Sequence, residues 1–237
     1  MKNIIIPLFT LAICALCTGQ TLKVTYSETI DLSEKLKSID DPMVRQIVKT
    51  KTEKPKYYEL VSQKGISIYQ LKSEENANTG TTVINSGSSA IVYRDHNTGT
   101  FTKQIDFLSR TFLIDDKLPK NDWKIGDETT KIGEYTCKKA TLQKGNNTIE
   151  AWFTDEIPSN EGPKSYFGLP GLVLKVQTGD ITIEATDISF SKEKINIEKP
   201  TKGKKITQVE FDKIKEEKIK GLTGGNKKNN GVQVIKM

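Results

Sequence analysis

Apolar and polar residues alternate with a period of two along most of the chain, which is typical of strands that bury one face. The alternation is clearest in Leu22–Ser27 and in Ile66–Leu71. About ten short strands are predicted, at a spacing of about ten residues. They are Leu22–Ser27, Lys56–Val61, Ile66–Leu71, Ala90–Arg94, Thr100–Ile105, Phe112–Ile114, Trp123–Ile125, Tyr135–Leu142, Thr148–Phe153, Leu172–Val176 and Ile181–Ala185.

Glycine-containing turns separate several of these segments, so neighbouring strands are expected to pair as antiparallel hairpins. The turns are Lys64-Gly65, His96–Gly99, Lys144–Asn147 and Thr178–Asp180. Many short strands joined in this way are typical of an antiparallel sandwich or barrel. We therefore predict a mainly β fold, with a single antiparallel, strongly curved sheet or a partly open β-barrel and one or two helices.

Helical signals are few. A short helix is predicted to begin at Pro42, where Pro occupies the first helical position. The stronger signal is the pair Thr207 and Glu210, which has the spacing of a capping box. Phe211 and Ile214 follow at helical spacing, so an amphipathic helix is predicted over 207–220.

Residues 1–19 have a short basic start, an apolar stretch and small residues before a polar one, which is the pattern of a secretory signal peptide. The chain is therefore expected to be exported, to the periplasm or the cell surface. The rest of the chain is predicted to form a β domain over 20–206, the amphipathic helix over 207–220 and a flexible basic tail over 221–237. The polar segment Glu74–Ser89 is predicted to be a mobile loop. No later run of about 18 apolar residues exists, so no transmembrane span is expected in the mature chain.

The chain carries 36 Lys and Arg against 30 Asp and Glu, and the excess lies near its C-terminus. Residues 191–237 hold 13 Lys and 6 acidic residues. A basic tail could contact nucleic acid or anionic lipid. Here the Lys alternate with Glu and only Phe211 is aromatic, so a solvated helix face is favoured and no nucleic-acid partner is expected.

Cysteine and histidine offer little chemistry. Two of the three Cys lie in the predicted signal peptide, so Cys137 is left without an intramolecular partner and is expected to be buried and inert. The single His, His96, lies in a turn sequence, and nothing in the spacing pairs it with a nucleophile. No metal and no cofactor are predicted.

Four carboxylates cluster around one predicted strand end: Glu150, Asp155, Glu156 and Glu161. Paired carboxylates could hydrolyse a glycosidic bond or bind calcium. Glu150 and Asp155 are separated by an odd number of residues, however, so on a regular strand they face opposite ways. A solvated strand end is favoured, a hydrolase is the least favoured hypothesis, and no catalytic residue is assigned.

The most distinctive segment precedes the strand that starts at Leu172. Pro170 and Gly171 suit the central positions of a type II turn, in which Gly171 would supply the positive φ. Gly168 is expected to allow a close approach of the backbone. We assign Gly168, Pro170 and Gly171 to a structural turn, with a gate or lip of a binding site as the functional alternative.

The run Phe167–Leu174 resembles the signature of the GLPGLI family, secreted proteins of Bacteroidota, with Val173 in place of Ile. Further blocks, including Asp122–Ile125 and Ile132–Thr141, extend the resemblance over about residues 90–190. The function of that family is largely uncharacterised, so the resemblance implies export and supplies no catalytic residues. The strands also look like the open half-barrels of periplasmic lipoprotein carriers, an analogy of fold alone.

Two functional hypotheses remain open. The first is a non-enzymatic binding protein of the periplasm or cell surface that holds an apolar ligand, such as an acyl chain or a hydrophobic peptide, in a concave sheet. The alternative is an accessory or structural protein that contacts an outer-membrane partner such as a TonB-dependent receptor. The residues assigned to ligand binding are Trp123, Tyr135, Trp152, Phe167 and Leu169.

Overall fold

The structure is a computed structural model and describes residues 20–72 and 90–224. Within these residues it contains twelve strands and three helices. The strands are β1 (Thr21–Ile30), β2 (Lys56–Gln63), β3 (Ile66–Leu71), β4 (Ile91–Asp95), β5 (Thr100–Phe107), β6 (Arg110–Lys117), β7 (Lys124–Ile132), β8 (Tyr135–Lys144), β9 (Asn147–Thr154), β10 (Leu172–Thr178), β11 (Ile181–Ser191) and β12 (Lys204–Ile206). The helices are α1 (Ser33–Lys37), α2 (Pro42–Thr52) and α3 (Gln208–Gly224).

All twelve strands belong to one sheet, in the order β12-β6-β5-β4-β3-β2-β1-β11-β10-β9-β8-β7. Every neighbouring pair is antiparallel except β12 and β6, which are parallel. The sheet does not close into a barrel. The predicted mainly β fold with one open antiparallel sheet is therefore confirmed, with one helix more than predicted.

The hairpin turns follow the sequence signals. Between β2 and β3, Lys64 and Gly65 both have positive φ, 53° and 78°. This is the geometry of a type I′ turn, whose twist matches that of the flanking strands. The predicted turn at Lys64-Gly65 is thus present, and it brings Gln63 opposite Ile66.

Most of the core lies on one face of the sheet, which we call the near face and which carries Val24, Tyr26, Leu60 and Tyr69. Cross-strand pairing aligns Val24 with Leu60, and Leu60 with Tyr69, so these side chains share that face. The chain between β11 and β12 crosses the opposite face, where residues 195–202 lie over β1 to β5.

Helix α3 begins with the predicted capping box. The Thr207 N–H donates to Glu210 Oε2 over 2.7 Å, and the Glu210 N–H donates to Thr207 Oγ1 over 3.2 Å. Phe211 then packs against Phe112 and Ile114 of β6, which fixes the helix at that end of the sheet. The helix continues to Gly224, four residues beyond the predicted end at 220.

Some predictions fall outside the described residues. The predicted signal peptide over 1–19, the polar loop Glu74–Ser89 and residues 225–237 of the predicted tail are among them. Among the helices that the structure describes, none is long and apolar enough to cross a membrane.

Candidate functional site

The segment over residues 155–171, which connects β9 to β10, packs onto the near face and is called the β9–β10 segment here. Arg94 on β4 holds it in place. The fully buried guanidinium donates to the carbonyl oxygens of Lys164, over 2.8 Å, and Gly162, over 2.9 Å, and to Ser67 Oγ over 3.2 Å. Its central carbon lies 4.9 Å from the centre of the Phe167 ring. One strand residue therefore fixes the backbone of the segment at several points.

Glu161 neutralises this buried arginine. Its carboxylate is 1% exposed, with Oε2 at 3.2 Å from Arg94 Nη2 and Oε1 at 3.0 Å from His96 Nε2. Burial raises the pKa of this carboxyl, but the charge of Arg94 and the hydrogen bond from His96 outweigh burial and hold the pKa below its ordinary value. Glu161 is therefore ionised at neutral pH and acts as the counter-ion of Arg94.

An open groove of about 680 Å³, called the rim groove here, lies beside this network. The β9–β10 segment forms one side, and residues of β1, β2, β11 and the Lys64-Gly65 turn form the other. Its lining mixes amide and hydroxyl side chains with apolar ones: Gln20, Gln63, Ser159, Asn160, Leu169, Pro170 and Phe190. Phe190 is 51% exposed, so its ring is accessible at the groove.

In the β9–β10 segment, Gly168 and Gly171 each have the role that was predicted for the other. Gly168 has the positive φ, +90°, and a Cβ there would meet nothing within 4 Å. Gly171 has no positive φ, and a Cβ there would lie 2.1 Å from the Thr154 carbonyl oxygen. The predicted type II turn with positive φ at Gly171 is therefore wrong. Gly171 is required because the backbones of the segment and β9 touch.

The five residues assigned to ligand binding do not form one site. Leu169 is buried and lines the rim groove, while Phe167 is buried against Arg94. Trp123 lies next to Phe167, because its Nε1–H donates to the Phe167 carbonyl over 2.9 Å. Tyr135 on β8 and Trp152 on β9 are half-buried against the core, and neither lines the rim groove.

The other carboxylates of the predicted cluster each have a separate partner. Asp155 pairs with Lys138 at 2.6 Å, and Glu156 accepts a hydrogen bond from the Thr136 N–H over 2.8 Å. Glu150 lies 3.4 Å from the ammonium of Lys139. These contacts favour structural ion pairs over a hydrolytic pair.

The remaining candidates for reactive chemistry are the Cys137 thiol and side chains that could bind a metal ion. The Cys137 thiol is fully buried, and burial raises its pKa to about 11, so it is a poor nucleophile. Within residues 20–72 and 90–224, no group of three or more His, Cys, Asp and Glu side chains could hold a metal ion.

Sequence reasoning missed Arg94, Asn160 and Phe190. Arg94 carries a usable signal, because it occupies an inward position of an alternating strand, where a charge needs a buried partner. Glu161 was recognised only as one carboxylate of a group. Nothing local in the sequence connects it with a strand residue 67 positions away.

The open sheet and its rim groove define the protein as a domain built on one β-sheet with an open surface groove. Residues 71–215 match the family described as N-glycanase peptide, N-terminal domain, and the chain belongs to this family. No curated protein matches the chain. The comparisons do not bear on the GLPGLI resemblance, which stays a prediction.

The solved structures similar to the chain include two of PNGF-II, in space groups C2 and P21. The TM-score is 0.56 for each, at 17% and 18% identity. The similarity covers 82% of this chain but 32% and 33% of those chains, so this chain spans about one third of their length. At this identity the likeness shows the fold alone.

Proposed function

We propose that this chain is an exported, non-enzymatic carbohydrate-binding domain that holds the sugar part of a glycoprotein in the rim groove. The observation that carries the proposal is the composition of the groove. An exposed aromatic ring and several amide and hydroxyl groups line one open cleft next to a rigid loop. The name of the family, N-glycanase, supports N-linked sugars as the ligand class.

The groove offers the two kinds of contact that a sugar uses. The Phe190 ring presents an apolar face against which the C–H groups of a pyranose ring can pack. Gln63 Nε2 already donates to Thr21 Oγ1 and to the Glu193 carbonyl, so Gln63 can offer its Oε1 as an acceptor, and Ser159 and Asn160 can supply further donors and acceptors for hydroxyl groups. Binding sites of this size are typically apolar clefts with a few polar groups that set orientation.

The Arg94–Glu161–His96 network supports binding in preference to catalysis. It fixes the wall of the groove before any ligand arrives, which lowers the entropic cost of association. A general acid would need an accessible proton near neutral pH. Glu161 is instead ionised, buried and paired with Arg94.

The alternatives from the sequence have less support. Phe167 and Leu169, two of the residues assigned to an apolar ligand, are buried by contacts within the protein itself. A role beside an outer-membrane partner stays a prediction, because its expected contact elements lie mostly outside the described residues. Native mass spectrometry of the protein from its own compartment would detect a retained apolar ligand.

The test is a titration of residues 20–237 with a fluorescently labelled free N-glycan. We expect saturable binding, and about tenfold weaker binding for Phe190→Ala, which corresponds to about 1.4 kcal/mol. Leu108→Ala is the matched control, because Leu108 is similarly exposed at 54% but lies in the turn between β5 and β6. Absence of binding by the unmodified protein, or equal weakening in both variants, would overturn the proposal.

A further inference from the structure

Helix α2 presents an apolar patch to solvent. Met43 is 73% exposed, Val44 42% and Ile47 49%. At 3.6 residues per turn these positions lie within an arc of about 100° on the helix surface, so they form one patch, which we call the α2 patch. Single exposed apolar residues are ordinary on a protein surface, whereas a contiguous group marks an interaction site.

The α2 patch lies outside the core. The helix is formed by its own N-terminal cap, because the Asp41 carboxylate accepts hydrogen bonds from the N–H groups of Met43, over 2.8 Å, and Val44, over 3.2 Å. The helix lies in the connection between β1 and β2, and its main neighbour among the described elements is the short helix α1. The three apolar side chains therefore belong to neither cluster of the core.

Positive charge surrounds the α2 patch. From Pro42 to Lys56 the chain holds one acidic residue, Glu53, against five basic ones: Arg45, Lys49, Lys51, Lys54 and Lys56. Over the whole connection, residues 31–56, seven basic residues oppose five acidic ones, and the other four acidic residues all precede the helix. In the described part of the chain, Lys49 and Lys54 have no carboxylate within ion-pair distance. The charge beside the patch is therefore not neutralised by the protein.

This combination fits an anionic lipid surface. An apolar helix face with basic residues on the rest of the helix is the pattern of a helix that lies in the membrane interface. A helix is about 10 Å across, which is comparable with the Debye length at physiological salt, so every cation of α2 acts on a surface that the patch touches. Three side chains cover far less than the roughly 800 Å² that a stable protein partner needs, whereas a lipid surface requires no matching shape.

We propose that α2 is an interfacial anchor that holds the protein on an anionic lipid bilayer. The α2 patch enters the boundary between head groups and acyl chains, and the lysines attract the head groups. The anchor does not depend on the proposed function, because the rim groove lies at the other end of β1. The strand begins at Thr21, beside the groove residue Leu22, and ends at Ile30, and its ten residues span about 30 Å. The groove therefore stays accessible when α2 is on the membrane.

The test is sedimentation of residues 20–237 with sucrose-loaded vesicles, either of phosphatidylcholine alone or of phosphatidylcholine and phosphatidylglycerol in equal parts. Residues 1–19 are left out because their apolar stretch would itself bind lipid. The patch variant is Met43→Gln/Ile47→Gln, since Gln removes the apolar side chain and has a high helix propensity. The matched control is Ile125→Gln/Val209→Gln, whose residues are 52% and 77% exposed and lie on β7 and α3.

A second pair of variants tests the charge. Lys49→Gln/Lys54→Gln removes two cations beside the α2 patch. Its control is Lys120→Gln/Lys124→Gln, which removes the same charge from exposed positions on the loop before β7 and on β7 itself. Thermal unfolding of each variant checks that the fold is retained, and sedimentation velocity without lipid measures the oligomeric state.

We expect the unmodified protein and both controls to bind the acidic vesicles equally, and the patch and charge variants to bind them about tenfold more weakly. Vesicles of phosphatidylcholine alone should bind the unmodified protein much more weakly. Titration with the free N-glycan should give the same affinity in all four variants, so the two proposals can fail separately. Equal binding by the patch variant and its control, equal binding to both kinds of vesicle, or a dimer in solution that only the patch variant dissociates would overturn the inference.

Discussion

Replacement of Glu161 by Gln removes the charge that neutralises Arg94 while it preserves the size of the side chain. Both partners are almost fully buried, with Nη2 and Oε2 3.2 Å apart. Removal of one partner from a buried ion pair costs about 3–5 kcal/mol, because the other charge stays desolvated. Because the free energy of unfolding falls by about 2 kcal/mol for each molar increase in urea, the urea concentration at the unfolding midpoint should fall by about 2 M.

The assay is urea unfolding at pH 7, followed by the fluorescence of Trp123 and Trp152. Asp155→Asn is the matched control, because it removes a carboxylate that also pairs with a cation, Lys138, but at about half exposure. Exposed pairs contribute about 0–1 kcal/mol. If Glu161→Gln unfolds within about 1 kcal/mol of the unmodified protein, the Arg94–Glu161 pair does not stabilise the segment and our reasoning is wrong.

The pH dependence gives an independent check of the same group. The pKa of Glu161 in the folded state lies below the ordinary Glu value of 4.5, so the folded protein binds fewer protons at this site than the unfolded chain. The stability that Glu161 contributes is therefore fully present above the ordinary value and is lost as pH falls through the lowered one. The stability difference between the unmodified protein and Glu161→Gln should shrink below about pH 4.5. A constant difference down to pH 3 would contradict the assigned pKa direction.

Three further predictions concern single residues. Gly171→Ala should destabilise the protein by about 2–3 kcal/mol, because its Cβ would overlap the Thr154 carbonyl. Gly168→Ala should cost about 1 kcal/mol for its positive φ alone. Thermal unfolding measures which variant is less stable, and a less stable Gly168→Ala would support a type II turn with positive φ at Gly171. Cys137 in residues 20–237 should resist iodoacetamide at pH 8 and react fully in guanidinium, and comparable rates in both would show that the thiol is accessible. Thr207→Ala should lower the free energy of unfolding by about 1 kcal/mol through loss of the helix cap, and an unchanged urea midpoint would argue against the capping box.

The positions of most strands could be predicted because their signals are local. Alternation identifies a strand with one buried face, and a pair such as Lys64-Gly65 identifies the turn that follows. The edge strand β7 shows the limit, since nearly all its side chains are exposed and only Trp123–Ile125 carried a signal. Pairing with β8 makes the rest of it a strand, and pairing is a tertiary property.

The candidate site was predictable only in part for the same reason. The segment around Phe167 and Leu169 carries a local signal, because Gly and Pro in an apolar context indicate a constrained backbone, and Leu169 lines the rim groove. The reason for the constraint at Gly171 was wrong, since turn preferences describe four consecutive residues and Thr154 lies on another strand. Arg94 and Glu161 meet only after the β9–β10 segment has folded back over the sheet.

The position of β1 in the sheet determines the order in which the strands can pair during folding. Thr21 pairs with Ser191, so the first of the described strands is joined on one side to the last but one of them. Until β11 has been made, β1 can pair only with β2, and its other edge offers unpaired N–H and C=O groups next to an apolar face. Closing so long a loop is slow, which keeps this edge open during synthesis. A chain that ends before residue 181 would keep the edge permanently, and we expect such a fragment to aggregate instead of forming half of the sheet.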